Sequence, residues 1–168
     1  QKSTMSVVGA IQEVVHTVGA HRVEKVKLDV IGLGAGPVDR LHELQSEGGF
    51  PQHISVVGVN VANVARQKKR FVSQRDEMWW SFREALQGEK ISTKNMSEEA
   101  LKEFAEPTYS ITSRGMIKVD SKEELRKTTR LGRSPDRGDA WILAFGDPTP
   151  ERGGPAGKVR VVSTRRRH

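Results

Sequence analysis

Hydrophobic positions divide the first third of the chain into alternating helices and strands. Over residues 5–18 the apolar side chains recur with helical spacing, which predicts an amphipathic helix. Two strands are predicted, from the alternation over 23–31 and from the apolar run at 53–59. A helix is predicted at 37–46, where Pro37 suits the first position. A helix between two apolar strands favours a right-handed parallel crossover. The pattern therefore indicates an α/β core.

Helical and alternating patterns continue in the rest of the chain. Arg114 and Gly115 suit a tight turn between two alternating runs, which predicts an antiparallel hairpin. Ser121 is expected to cap one helix, and a last apolar helix carries Trp141. The predicted elements before that last helix are helices at 75–86, 97–105 and 121–128 and hairpin strands at 108–113 and 116–119.

The length and composition limit the chemistry that the chain can perform. Its 168 residues suffice for one domain with a core, and the absence of cysteine excludes disulfides, thiolate ligands and a cysteine nucleophile. Any metal must then be held by oxygen or imidazole. The sequence contains neither an apolar stretch of roughly 20 residues nor an N-terminal signal pattern, so we expect a soluble, cytoplasmic protein without a membrane partner.

The positive charge is concentrated near the C-terminus. From Glu151 onward the chain carries +5 of its net charge of +7, so the preceding part is only mildly basic. The high proline, glycine and arginine content after Phe145 is typical of an unfolded segment. We therefore expect one domain at 1–146 and a basic, disordered tail at 147–168.

Two acidic segments are the candidates for catalytic chemistry. Asp29 ends a strand and is followed by three glycines at every second position, which places a carboxylate at a turn. Asp136 and Asp139 are three residues apart, so a helix would present both on one face. A divalent cation bridging the two segments is the functional interpretation.

Each of these features also has a structural explanation. Asp29 could cap the turn and Asp136 the last helix, and the residues alone favour those explanations. Asp139 resists this reasoning because it falls one turn inside the helix and needs a partner or solvent. A nucleotide-binding enzyme is a weaker alternative, because Pro37 or Asp39 stands where the third glycine of a dinucleotide fingerprint belongs and no phosphate loop is present.

Five motifs give the chain a specific resemblance. DVIGLGAGPVDRL, VVGVNVA, RDEMWWSFREAL, SITSRGMIKVDSKEELRK and GRSPDRGDAWILAF occur in this order within residues 4–146. The chain resembles the C-terminal nuclease domain of phage terminase large subunits. The resemblance implies an α/β, RNase H-like fold, here partial, with a mixed sheet flanked by helices and an additional β-hairpin. It also implies Mg²⁺- or Mn²⁺-dependent cleavage of concatemeric double-stranded viral DNA.

Residue by residue, the resemblance assigns three acids to the metal site. Asp29 corresponds to the second catalytic carboxylate, Asp139 to the third, and Asp136 to an auxiliary ligand. Two cations held there would activate a water and stabilise the leaving 3′ oxygen. The first catalytic aspartate, its neighbouring strands and the ATPase domain would precede Gln1, so the resemblance implies an N-terminally incomplete domain, a fragment or a prophage remnant.

The resemblance also implies partners, and the basic residues suggest where DNA binds. Double-stranded DNA is the expected substrate, with the terminase small subunit and portal protein as further partners. Trp79 and Trp80 are adjacent on a helix, so core packing is favoured over base stacking for at least one. The residues expected to contact phosphates, unless they form only a solvated face, are Lys127, Arg130, Arg133 and Arg137.

Two functional hypotheses therefore follow from the sequence. The first is a metal-dependent endonuclease domain of a viral packaging terminase, located in the host cytoplasm. The second is a non-catalytic module for DNA binding or assembly, in which an incomplete acidic centre holds no metal pair. Loss of metal-dependent cleavage on substitution of the aspartates would distinguish them.

Overall fold

The computed structural model describes residues 3–31, 35–94 and 96–146. The predicted tail at 147–168 and the glycines Gly32 and Gly34 lie outside this part of the chain. The proposed boundary after residue 146 stays a prediction. No helix in the described ranges is both long enough and apolar enough to span a membrane.

The N-terminal half contains a parallel strand pair covered by two helices. Its elements are α1 (Thr4–Val18), β1 (Lys25–Asp29), α2 (Gly36–Ser46) and β2 (Ser55–Val59), with a 3₁₀ turn at Ala20–Arg22. β1 and β2 pair in parallel, as the sequence predicted. A buried cluster joins the two helices to the strands through Val8, Val15, Leu41, Phe50 and Ile54.

Local sequence signals account for the start of both helices. Ser3 accepts a hydrogen bond from the backbone N–H of Ser6 at 3.2 Å, which satisfies one free donor in the first turn of α1. Pro37 lies in the first turn of α2, where its missing N–H costs no hydrogen bond. The predicted helix at 37–46 is therefore confirmed within one residue.

The described part of the C-terminal half contains four helices and a hairpin. Ser73 and Asp76 form a reciprocal capping box at the start of the first of these helices. The hairpin strands pair antiparallel, as predicted, with Tyr109 opposite Val119. The elements are α3 (Gln74–Gln87), α4 (Glu98–Ala105), β3 (Tyr109–Ile111), β4 (Ile117–Val119), α5 (Lys122–Leu125) and α6 (Asp136–Phe145).

The last helix connects the two halves. α6 packs against α3, α4 and β1, and Ile142 on α6 is buried in a core with Trp79 and Phe82 of α3. The carboxyl end of β1 and the first turn of α6 consequently lie together.

Several predicted elements are shorter in the structure. The helix expected at 121–128 is the single turn α5, because the backbone N–H groups of Arg130 and Gly132 bond back to Lys127 in a turn. Gly132 has φ of 67°, a left-handed conformation that glycine adopts readily in the turn that follows α5. The hairpin strands also keep only three residues each.

Candidate metal centre

Asp29 has two different contacts at the end of β1. One carboxylate oxygen, Oδ1, accepts a hydrogen bond from the backbone N–H of Ile31 at 2.9 Å. The turn-capping interpretation is therefore confirmed. The other oxygen, Oδ2, lies 3.7 Å from Lys122 Nζ, and the side chain is about one third exposed, at 29%. Capping the turn thus leaves one oxygen of Asp29 facing the site.

Asp139 is mostly buried and has the partner that its position in the helix requires. The indole N–H of Trp79 donates to Oδ1 at 3.1 Å, and Lys122 Nζ lies 2.9 Å from Oδ2. The Arg75 guanidinium approaches Oδ1 to 3.8 Å. Three donor side chains from α3 and α5 therefore surround the carboxylate.

Asp136 shares a cavity with the other two acids. It is the exposed first residue of α6, whose N-cap position is taken by Pro135 without a side-chain hydrogen bond. Asp136 therefore does not cap the helix. A cavity of about 210 Å³ is lined by Asp29, Asp136 and Asp139 together with Lys122. The fold thus brings all three predicted acids to one cavity.

Lys122 and Arg75 complete the site and were not identified from the sequence. Lys122 is the first residue of α5, after the capping residue Ser121, and its ammonium lies between the carboxylates of Asp29 and Asp139. Arg75 donates to the Asp120 carbonyl at 2.8 Å and lies 5.5 Å from the centre of the Trp79 ring. No spacing rule relates these residues to the acids, because each comes from a different element.

A buried glutamate fixes the start of α6. Glu103 on α4 is fully buried and accepts a hydrogen bond from the backbone N–H of Gly138 at 2.6 Å. A Cβ atom at Gly138 would lie 3.0 Å from the Trp79 ring and 3.3 Å from Glu103, so a larger residue would require these side chains to shift. Both contacts hold the turn that carries Asp139.

The donor chemistry fits a hard divalent cation, although the set of ligands is small. Carboxylate oxygens suit Mg²⁺ and Mn²⁺, and the buried Oδ2 of Asp139 has the Lys122 ammonium 2.9 Å away, in an ion pair without hydrogen-bond geometry. Within the described ranges, no group of three His, Cys, Asp or Glu residues is arranged to hold a metal ion. A cation here would take further ligands from water, phosphate oxygens or groups outside these ranges.

The four basic residues expected to contact phosphates have different environments. Arg130 hydrogen bonds Glu106 and Asp120, and the bond to Glu106 raises the pKa of its guanidinium. Burial acts to raise the pKa of the Asp120 carboxyl, but hydrogen bonds from Thr108 and Arg130 outweigh it and lower that pKa. Arg130 therefore holds loops together.

The remaining three basic side chains are exposed at the surface. Lys127 pairs with Glu124 at 2.6 Å on the same short segment, and Arg133 pairs with the buried Glu103. Arg137 is exposed beside Asp136 at the start of α6, and no ion pair with a described residue involves it. Phosphate binding by these residues stays a prediction, and Arg137 is the one nearest in sequence to the acidic cavity.

Comparison with solved structures shows which fold the chain has. A mutant nuclease domain of the large terminase subunit gp2 of bacterial virus Sf6, with manganese and beta-thujaplicinol, has a TM-score of 0.62 at 15% identity, covering 87% of this chain and 73% of that one. The nuclease domain of the same subunit without these additions has a TM-score of 0.58 at 15% identity. That comparison covers 82% of this chain and 70% of the other. A mutant of the same subunit with calcium has a TM-score of 0.57 at 16% identity. That comparison covers 81% of this chain and 69% of the other.

The sequence by itself finds no relative in two other comparisons. No protein-family model matches the chain, and no curated protein matches it. The structural likeness is therefore a statement about the fold. The chain has the RNase H-like α/β fold of a phage terminase nuclease domain, and the fold expected from the five motifs is confirmed.

Proposed function

We propose that this chain is the metal-dependent endonuclease domain of a viral DNA-packaging terminase, which cuts concatemeric double-stranded DNA. The observation that carries the proposal is the convergence of Asp29 and Asp139 on Lys122, at distances of 3.7 and 2.9 Å. These acids are far apart in the sequence and belong to different elements. Their meeting in a cavity is expected for a cation site and is costly without a counter-charge.

In this proposal Asp29 and Asp139 hold Mg²⁺ or Mn²⁺, and Asp136 is an auxiliary ligand or orients a bound water. When bound, the cations would activate the attacking water and neutralise charge on the leaving oxygen. The likeness to nuclease domains that were determined with manganese and with calcium supports a divalent ion. A remaining carboxylate ligand would come from outside the described residues.

The surrounding side chains would orient the acids. Trp79 donates to Oδ1 of Asp139, which leaves Oδ2 beside the ammonium of Lys122. Lys122 neutralises both carboxylates until a cation replaces its ammonium. Apolar side chains line the cavity beside the acids and would limit the access of bulk water, namely Val61, Met78, Ile142 and Leu143.

DNA is the proposed substrate, bound through its phosphates. Lys127, Arg133 and Arg137 are exposed and would position the duplex without reading its sequence. Arg130 would support them by holding the loop at Glu106 and Asp120. The terminase small subunit, the portal protein and the host cytoplasm complete the proposed setting.

Cleavage of supercoiled plasmid tests the proposal. The purified chain is incubated with Mn²⁺, Mg²⁺ or EDTA, and Asp139→Asn is compared with Asp39→Asn, which removes an exposed carboxylate from the first turn of α2. We expect nicking only with a divalent cation. Loss of a group that supports a metal ligand typically lowers activity about 10- to 100-fold. Asp139→Asn removes a ligand itself and should lower the cleavage rate more than ~100-fold, whereas Asp39→Asn should change it little.

The same assay defines the contrary result. Equal cleavage by Asp139→Asn and the unsubstituted chain would contradict the assignment of the metal site. A folded chain that binds DNA but never cuts it, with either cation, would contradict the enzymatic proposal. That second result would favour the non-catalytic DNA-binding or assembly module.

A further inference from the structure

A second surface of the molecule is strongly basic, and none of its basic residues lines the acidic cavity. It is formed by residues 61–73 and the hairpin 109–119, which are joined by a bridge between Phe71 and Ile117. These two segments contain no carboxylate. We call them the basic surface, and their basic residues are Arg66, Lys68, Lys69, Arg70, Arg114 and Lys118.

Two carboxylates of α3 reach the basic surface, but Glu77 and Asp76 accept the backbone N–H groups of Arg66 and Val119 and do not pair with its cationic side chains. Arg70 pairs with Glu84 at 2.6 Å, whereas no ion pair with a described residue involves the other five side chains. All six residues are exposed. Because like charges repel, such a surface suits a polyanionic ligand.

Aromatic rings border the basic surface. Trp80 of α3 and Tyr109 of β3 meet edge to face, with ring centres 4.8 Å apart. Arg83 lies 4.6 Å from the centre of the Trp80 ring and 5.7 Å from that of Tyr109. Tyr109 is half exposed, at 49%, so its ring is available to a ligand.

A cleft of about 370 Å³ opens beside these rings. Its apolar wall includes Leu86, Phe104 and Pro107, and its volume lies within the ~300–1,000 Å³ typical of small-ligand sites. Trp79 also lines the cleft, while its indole N–H bonds Asp139 in the acidic cavity. One indole ring therefore contacts both the cleft and the candidate metal centre.

We propose that this cleft binds unpaired bases of a DNA strand while the basic surface, together with Arg83 in the wall of the cleft, holds the adjoining phosphates. Aromatic side chains combined with a basic groove are the usual means of binding single strands, because every base has a face that stacks. Bases inside a duplex are already stacked and cannot enter the cleft. The proposal rests on the proposed nuclease function and assigns to it a site for a frayed or single-stranded region beside the cut.

Binding without cleavage tests this site independently of the nuclease activity. Fluorescence anisotropy of the full chain in EDTA compares a labelled single-stranded oligonucleotide with the duplex of the same length. Because the basic residues after 146 should attract both forms, the ratio of the two affinities is the readout. The variants are Tyr109→Leu, Tyr109→Phe and Arg83→Ala, and Arg22→Ala is the control, an exposed basic residue on the 3₁₀ turn.

We expect the single strand to bind more tightly than the duplex. Tyr109→Leu should weaken single-strand binding about 5- to 150-fold, the range for loss of one stacked base, and Tyr109→Phe should restore most of it. Arg83→Ala should reduce the slope of log affinity against log salt concentration by about 0.7, the value for one phosphate contact on a single strand. Arg22→Ala should leave the affinity ratio unchanged.

Two results would overturn the proposal. One is equal affinity for single strand and duplex in the unsubstituted chain. The other is competition by poly-glutamate as effective as that by the single strand, with the same losses in the variants, which would indicate a site for acidic peptides. If the chain prefers the single strand but does not cleave plasmid, the nuclease proposal fails and the single-strand site stands.

Discussion

At the scale of single residues, one lysine is shared by two carboxylates of the acidic cavity. Lys122 Nζ lies within ion-pair distance of both Asp29 and Asp139. Lys122 is about one third exposed, so solvent screens these pairs and each contributes only a modest stabilisation. The position of the ammonium between two carboxylates is nevertheless the position that a bound cation would need.

Replacing Lys122 with alanine should therefore strengthen cation binding. A partly exposed ion pair contributes about 0.2–1 kcal/mol, so relief from two pairs should tighten Mn²⁺ binding roughly two- to thirtyfold. Isothermal titration calorimetry with Mn²⁺ measures this. Lys127→Ala is the control, because Lys127 pairs only with Glu124 among the described residues. Weaker Mn²⁺ binding by Lys122→Ala would show that the lysine assists the cation instead of competing with it.

At the scale of elements, the site depends on where α6 begins. Its N-cap Pro135 provides no side-chain hydrogen bond, so the first turn is held by contacts from other elements. Glu103 of α4 accepts from the backbone N–H of Gly138, and the Trp79 ring covers the same turn. The orientation of Asp139 is therefore set by α3 and α4 together.

Removing this acceptor should destabilise the domain and disturb the site. Glu103→Ala leaves a buried N–H unsatisfied and should lower the free energy of unfolding by about 2–4 kcal/mol. Glu103→Gln keeps a carbonyl oxygen and should cost less. Urea denaturation measures both, with the exposed Glu13→Ala as control at about 0.5 kcal/mol or below. An equal loss for Glu103→Ala and Glu13→Ala would contradict the anchoring role.

At the scale of the whole molecule, the parallel strand pair is small and one side of it is exposed. In the described part of the chain, β1 pairs only with β2. A groove of about 390 Å³ lies between α1 and β1, lined by apolar residues such as Val7, Val14 and Val26. Val14 is 59% exposed. An apolar groove beside a strand edge that no described residue pairs favours association with another chain.

A charge in this groove should suppress self-association of the chain. Val14→Glu places a carboxylate on α1 that would have to be desolvated in any contact, so the dimerisation constant should fall about tenfold or more. Sedimentation velocity across a range of concentrations measures it. Val64→Glu is a matched control, since Val64 is also 59% exposed but lies far from β1 in sequence, in the basic surface. A monomer at all concentrations would contradict the expectation.

Periodicity alone determined most of the elements of this molecule. Spacing within single segments predicted the helices α1, α2, α3 and α4. The connections between strands predicted the parallel and the antiparallel pairing. The acids Asp29, Asp136 and Asp139 were also identified, because each stands at the end or the start of an element. The motifs that these acids belong to predicted the fold that the solved structures share.

Tertiary structure alone decided what surrounds those acids. Lys122 and Arg75 carry no local signal, since charged residues near helix starts are common, and Glu103 lies inside α4 like any glutamate of an amphipathic helix. Their roles arise because α6 packs between β1, α3 and α4, which brings segments distant in sequence within hydrogen-bond range. The sequence by itself thus determined the elements and the carboxylates, through periodicity and local capping. Only the packing of α6 decided which cations and donors those carboxylates meet, because such contacts depend on distance in space and not on spacing along the chain.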